Sequence, residues 1–346
     1  MLRVAVIGLG DVSNVHLSAI QASGQAELVA VCDHDESLRG TVPGVSFYTD
    51  YHVMLEREAL DCVHICLPHH LHYHATRACV EKGIHVMQEK PLALNVEEGL
   101  ELVKLEEAYP HVKICVCLQN RYNESFERLL EIVRSGRYGR LLGIKGLVAW
   151  YRPKDYYEQK PWRGQLKYAG GGVMINQALH TLDIMQLLGG EIHSIRGNVD
   201  QLLDYGIEVE DTATARMTFS DGAAGLFFAT VANTENSSVE LQVTLEQKRL
   251  VIRDSMLFVC HENGEQEILA EDRKLPGTKF YYGASHAKLI HRFYACIDRH
   301  SHDYVHARDA LPSLQIIDMI HKSAELQQEI RLGGEYAWSR GNLAYR

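Results

Sequence analysis

The stretch VAVIGLGDVS, residues 4–13, constrains the chain more than any other segment. An apolar, strand-like run ends in Gly8, Gly10 and Ser13, spaced as G-x-G-x-x-small, and a helix-like run follows. The first glycine permits a tight strand-to-helix turn. The second lets a pyrophosphate approach the backbone, and the small third residue lets helix and strand pack closely. The pyrophosphate would rest on the amides at the helix start, around Asp11 and Val12. Twenty residues after Ser13, Asp33 closes the second apolar run. An acid at that place bonds the adenosine ribose hydroxyls and repels a 2′-phosphate, so NAD is expected in preference to NADP. The plainer alternative is a glycine-rich turn without a ligand.

Around this motif, apolar runs at 2–8, 27–33, 61–68, 83–91 and 113–119 read as strands. Between them, 74–83 and 95–109 show helical spacing, the first ending at Gly83. Strands alternating with helices imply a parallel sheet covered on both faces. After residue 120 the pattern changes. A helix over 124–139 leads into LLGIKGLVAWY, then five alternating runs between 192 and 254, with turns at SDG and EQK, and a last helix over 309–328. These predict a large, mostly antiparallel open sheet. The fold class expected is therefore α/β: a Rossmann domain over 1–120 and an α+β substrate-binding and oligomerisation domain over 121–346.

The formal net charge of −10 argues against nucleic acid and anionic membrane as partners. No apolar run reaches the length of a membrane span, and the N-terminal run lacks the form of a signal peptide. A cytoplasmic protein is expected. The eight cysteines include no C-x-x-C pair and sit mostly in apolar runs, which predicts buried free thiols.

With these elements in register, ICLPHHLHYHATRACVEKGIHVMQEKPLA resembles the third strand, loop, helix and fourth strand of the Gfo/Idh/MocA oxidoreductases. Members commonly carry a Pro-Asn-x-x-His loop followed by Glu-Lys-Pro. Here the loop is Pro68-His69-His70-Leu71-His72, with His69 where the family usually has Asn, and the tripeptide is Glu89-Lys90-Pro91. Further similar segments are LQNRYN (118–123), GGGVMINQALHTLD (170–183), VEDTATARMTFSDGAAG (209–225) and GASHAKLIHRFYACI (283–297). The resemblance implies that Lys90 is the active-site lysine. It implies also that Leu67, Pro68, His69, His72, Glu89 and Gln119 line the cofactor, with Glu89 toward the nicotinamide. His16 and His286 are looser matches. The family commonly forms dimers or tetramers through the second domain's sheet, so a homodimer or homotetramer is expected.

Hydride abstraction from an alcohol requires a base for the hydroxyl proton. His180 suits it, because its ordinary pKa lies near neutrality. Lys90 could hydrogen-bond the same oxygen and stabilise a developing alkoxide. Asn176 stands where the family has Asp, and could orient substrate or imidazole without accepting a proton. Asn176, His180 and Asp183 are spaced i, i+4, i+7, which on one helix makes a polar stripe facing a cleft, beside buried Ile175, Leu179 and Leu182. For Asp183 a salt bridge is as plausible as a catalytic part. In WYRPKDYYEQKPWRG (150–164), Tyr151, Arg152, Trp162 and Arg163 suit a sugar face and a carboxylate or phosphate, although a structural loop would use the same residues.

The leading expectation is an NAD-dependent dehydrogenase acting on a secondary hydroxyl of a sugar, polyol, sugar acid or nucleotide sugar. A glycosidase using transient oxidation by NAD, and a non-catalytic NAD sensor, remain alternatives. A metal site on the histidine cluster is disfavoured: His70 and His74 are spaced as a helical pair, but no Asp, Glu or Cys completes the set locally. No metal is expected.

Overall fold

A computed structural model describes residues 1–273 and 284–332. These form two compact units, residues 1–119 with 284–311 and residues 120–273 with 312–332. Among the described residues, no helix is long and apolar enough to cross a membrane.

The first unit is built on six parallel strands, β1 (Leu2–Ile7), β2 (Ala26–Cys32), β3 (Ser46–Tyr48), β4 (Cys62–Ile65), β5 (His85–Gln88) and β6 (Ile114–Val116), in the order β3-β2-β1-β4-β5-β6. Val4, Ala5, Val63, Ile65, Val86 and Ile114 are fully buried. Neighbouring residues of a strand point to opposite faces, so both faces of the sheet are covered. The five sequence-read strands are present, β1, β4, β5 and β6 shorter than their apolar runs and β2 of the same length, shifted by one residue. The short edge strand β3 carried no sequence signal.

Local chemistry sets the helices. Asn95 caps Val96–Ala108, its side chain accepting from Glu98 N at 2.9 Å, while Glu98 Oε2 accepts from Leu94 N at 3.1 Å. This is a variant of the reciprocal capping box. His72–Glu81 ends at Lys82 and Gly83, the latter with φ 78°. The helix Ala284–Asp298 packs on Ser13–Ser23, and His291 Nε2 lies 3.0 Å from the Ala19 carbonyl. A late segment of the chain thus completes the first unit.

The second unit carries nine strands: β7 (Leu141–Ala149), β8 (Ile192–Asp200), β9 (Thr212–Phe219), β10 (Ala224–Thr230), β11 (Glu240–Leu245), β12 (Arg249–Arg253), β13 (Met256–Cys260), β14 (Gln266–Glu271) and β15 (Ile330–Arg331). Their order is β14-β13-β12-β11-β7-β10-β9-β8-β15. All pairs are antiparallel except β7–β10. The helix Leu179–Gly189 packs on β7. The predicted α/β class with a large, mostly antiparallel second sheet is what the chain forms. All eight cysteines are buried free thiols, as expected.

Candidate functional site

In the first unit the carboxyl ends of β1, β2, β4 and β5 share one edge, where open parallel sheets bind ligands. Gly8 follows β1 with φ 91°, and a Cβ there would lie 2.6 Å from the Cys66 carbonyl oxygen, so only glycine fits. At Gly10 a Cβ would meet nothing within 4 Å, which leaves the backbone open to an approaching group. The N-cap residue of the helix Ser13–Ser23, Val12, supplies no side-chain cap. Asp33 Oδ2 accepts from Leu9 N at 2.8 Å and Oδ1 from Asp35 N at 3.0 Å. The acid therefore braces the glycine loop, a duty its sequence position did not reveal. Its two carboxylate oxygens still have lone pairs for ribose hydroxyls. A cradle only glycine can form, open backbone at Gly10, a helix start whose N-cap is an apolar Val12 and an acid at the second strand end together fit a dinucleotide.

The histidine-rich loop resolves into separate duties. His69–Leu71 is a single 3₁₀ turn after Pro68, and His72 opens the next helix. His69 is buried, His70 half-buried and His74 exposed. His72 is fully buried, with Nδ1 2.7 Å from the Pro91 carbonyl and Nε2 2.8 Å from the Leu67 carbonyl. Burial keeps it below its ordinary pKa despite those two carbonyls, and a neutral ring can donate to only one of them. His72 thus spans the loop and the Lys90-Pro91 peptide, which is cis. Gln88 supports the same turn. Its Nε2 donates to the Pro91 and Leu92 carbonyls at 3.0 and 2.7 Å, and its Oε1 accepts from Thr76 Oγ1 at 2.6 Å. Neither Gln88 nor Thr76 was among the sequence candidates. Lys90 emerges half-buried from this braced turn, and Gln119 is buried where the unit ends.

Glu89 is buried, and its Oε1 lies 2.9 Å from His16 Nε2 and 3.8 Å from His286 Nε2. Burial opposes ionisation of Glu89, but His16, His286 and Lys90 outweigh it and hold the carboxyl well below its usual range. Burial likewise opposes a charge on His16. Cys66 and the Glu89 carboxylate outweigh it, and His16 is pushed up to about 10. His286 is pushed down to about 4 by burial. Ligand atoms of His16, Glu89 and Cys117 lie within 4.8 Å of one another, a spacing that could hold a metal. His16 Nε2 and Glu89 Oε1 are, however, engaged with each other.

In the second unit the structure corrects one expectation. Asn176, His180 and Asp183 do not share a helix. Val173–Asn176 is a single turn, and Leu179–Gly189 starts afresh after Gln177 and Ala178. The cause lies just ahead. The Gly172 Cα sits so close to the Glu210 backbone that a Cβ would lie 1.8 Å from its carbonyl oxygen, while Glu210 Oε2 and Oε1 accept from Gly172 N and Met174 N at 2.8 and 3.2 Å. The glycine segment is pinned to the start of β9, and the turn it opens is too short to continue. Ile175, Leu179 and Leu182 are buried as expected. Asp183 does not face a cleft. It is buried and receives Arg121 Nε and Nη2 at 2.8 and 2.6 Å. His180 is half-buried, with Nδ1 on the buried side.

Asn176 and the aromatic loop meet at Tyr156, which the sequence candidates omitted. Asn176 Nδ2 and Gln177 Nε2 both donate to the Tyr156 hydroxyl at 3.2 Å. The Arg163 guanidinium lies 4.0 Å from the Tyr156 ring centre, and Arg152 lies 5.3 Å from it and 5.0 Å from that of Trp150. Trp162 stands half-buried beside Arg163, and Tyr151 is exposed. The only sequence signal for Tyr156 was its place in the aromatic-arginine run.

Residues 2–117 match the model of an oxidoreductase family with an NAD-binding Rossmann fold (GFO/IDH/MocA), and residues 126–251 match the GFO/IDH/MocA C-terminal domain. The chain is 26% identical over 278 residues to a myo-inositol 2-dehydrogenase of Thermotoga maritima, covering 77% of this chain and 80% of that one. It is 31% identical over 201 residues to a D-glucoside 3-dehydrogenase of Escherichia coli, about half of each chain (54%). Among solved structures, the WlbA dehydrogenase of Bordetella pertussis, in complex with NADH and UDP-GlcNAcA, superposes with a TM-score of 0.83 at 26% identity, covering 96% of this chain and 99% of that one.

Proposed function

We propose, because this chain belongs to the Gfo/Idh/MocA family of NAD-binding oxidoreductases, that it oxidises, or reversibly reduces, a secondary hydroxyl of a sugar, polyol, sugar acid or nucleotide sugar. The observation that carries this reading is the braced Glu89-Lys90-Pro91 turn, set at the same sheet edge as the Gly8 cradle. Similarity to dehydrogenases named for myo-inositol and D-glucosides, and to one solved with UDP-GlcNAcA, supports the substrate class.

Gly8, Gly10, Asp11, Val12 and Asp33 would hold the adenosine and pyrophosphate end of NAD, and the loop from Leu67 to His69 would hold its other half. When bound, NAD supplies the hydride acceptor. Lys90 Nζ donates to the reacting hydroxyl oxygen and stabilises negative charge there. His180 takes the hydroxyl proton at Nε2, since its Nδ1 lies on the buried side. Asn176 and Tyr156 orient the substrate, with Tyr151, Arg152, Trp162 and Arg163 around them. His72 and Gln88 shape the turn beneath Lys90.

The reading is tested with Lys90→Ala and His180→Ala. Each should lose at least about a hundredfold in turnover while NAD still quenches protein fluorescence. Full turnover in either variant would remove that residue from the chemistry.

The outer face of the second sheet presents exposed Leu226 and Phe228 among Lys145, Arg196 and Arg216, around a shallow cavity of about 420 Å³. We read this face as the surface through which copies of the chain form a dimer or tetramer. Light scattering of Leu226→Glu against the parent protein tests it.

A further inference from the structure

A line of buried polar side chains ends at the peptide of Lys90. His16 and His64 are 0% exposed, Tyr294 1% and Glu89 5%. They come from the helix Ser13–Ser23, from β4, from the helix Ala284–Asp298 and from the turn after β5. Tyr294 Oη lies 2.6 Å from His64 Nε2, His64 Nδ1 lies 2.8 Å from His16 Nδ1, and His16 Nε2 lies 2.9 Å from Glu89 Oε1. The other carboxylate oxygen, Oε2, accepts from Lys90 N at 3.2 Å. Every link is direct, and both Glu89 oxygens are engaged.

The chain has few proton arrangements. Only one proton fits between the two Nδ1 atoms. If His16 carries it, His16 is an imidazolium paired with Glu89, and His64 is neutral with its Nε2–H donated to Tyr294. If His64 carries it, His64 Nε2 accepts from the Tyr294 hydroxyl. Burial and the neighbouring His16 hold His64 well below its ordinary pKa, while His16 is raised. The first arrangement follows, a buried ion pair with its remaining hydrogen bonds satisfied. Such a pair contributes little net stability over well-packed apolar residues, but it is costly to break and fixes geometry. A carboxylate with one oxygen on His16 and the other on the next peptide has little freedom to turn toward a ligand.

We propose that Glu89 is a positioning residue rather than a cofactor ligand: the buried Tyr294–His64–His16 chain fixes its carboxylate, and the carboxylate fixes the peptide from which Lys90 reaches the reacting hydroxyl. This rests on the assignment of Lys90 to the chemistry. Errors of position near 1 Å cost rates about a hundredfold, so loosening the Lys90 peptide acts on kcat.

The test uses the whole 346-residue chain with Glu89→Gln and Tyr294→Phe, the second leaving the Glu89 carboxylate in place. Kinetics are read with NAD and the most rapidly oxidised member of a panel of sugars, polyols, uronic acids and nucleotide sugars. Glu89→Gln should lower kcat by about tenfold or more, and Tyr294→Phe by a few-fold, with KM for NAD within about twofold of the parent. A KM for NAD that rises while kcat holds would make Glu89 a cofactor ligand and overturn the proposal. Unchanged kcat and KM in both folded variants would leave the chain as packing alone and also overturn it. If Lys90→Ala itself turns over normally, the assignment of Lys90 fails instead. A readout without substrate is the ¹⁵N spectrum of histidine-labelled protein. The His16 imidazole, identified as the signal lost in His16→Gln, should carry both ring protons, and Glu89→Gln should abolish that doubly protonated signal. Its absence in the parent protein, or its persistence in Glu89→Gln, contradicts the chain.

Discussion

Arg121 holds Asp183 through two hydrogen bonds of 2.8 and 2.6 Å, and both side chains are buried. Ser313 Oγ approaches the same carboxylate at 3.4 Å. The pair ties the 3₁₀ turn Gln119–Tyr122 to the helix that carries His180. Asp183 is therefore committed to a buried ion pair.

Removing one partner strands the other as a buried charge. Asp183→Ala should cost about 3–5 kcal/mol in urea unfolding, and the double replacement Arg121→Met/Asp183→Leu should recover much of it. A single variant as stable as the parent would contradict this account of the pair.

The pH dependence of stability should carry the mark of His16. Its folded pKa is raised to about 10, so its contribution is full below its unfolded value near 6.5 and is lost as pH climbs toward 10. Glu89 is lowered, so its contribution is present above its unfolded value and is lost only in acid. His64, His72, His85 and His286 are lowered and act in the opposite sense to His16, destabilising the fold as pH drops below their unfolded values. The difference in melting temperature between the parent and His16→Gln should therefore shrink from pH 6.5 to pH 10. A difference that stays constant or grows over that range would count against the ion pair.

Asp33 anchors the glycine loop through Leu9 N and is proposed to set cofactor choice. Asp33→Ser should lower the ratio of kcat/KM for NAD over NADP by about tenfold or more, since it removes both the ribose acceptor and the charge that repels a 2′-phosphate. An unchanged ratio would mean that the ribose is recognised elsewhere.

Much of this was legible in the chain. Periods and turn residues placed the strands β1, β2, β4, β5 and β6, because each is an apolar run buried on both faces. The glycine motif was readable because backbone sterics demand a glycine at Gly8, and Asp33 because it follows an apolar strand directly. What escaped depends on contacts distant in sequence. Glu210 pins Gly172 from 38 positions away, and no local pattern showed that this would split the Asn176–Asp183 stripe. His64 and Tyr294 meet across 230 positions. Read alone, each was a polar residue inside an apolar strand or helix. The histidine cluster at 69–74 drew attention by density, yet its members range from buried His69 and His72 to exposed His74, and His72 braces the Lys90 turn.

Tyr156 collects two amide donors and two stacked arginines, so it should matter more than its exposed neighbour Tyr151. Tyr156→Phe should lower kcat/KM for the sugar by about tenfold, through lost orientation of Asn176, while NAD affinity holds. Equal kinetics in Tyr156→Phe and the parent would place the loop outside substrate binding.

The most direct measurement is NADH formation when the protein meets NAD and a panel of sugars, inositols, uronic acids and nucleotide sugars. Net NADH should accumulate with at least one of them, in proportion to oxidised product. Release of a sugar fragment without net NADH, or no reaction across the panel by protein that binds NAD, would contradict a dehydrogenase.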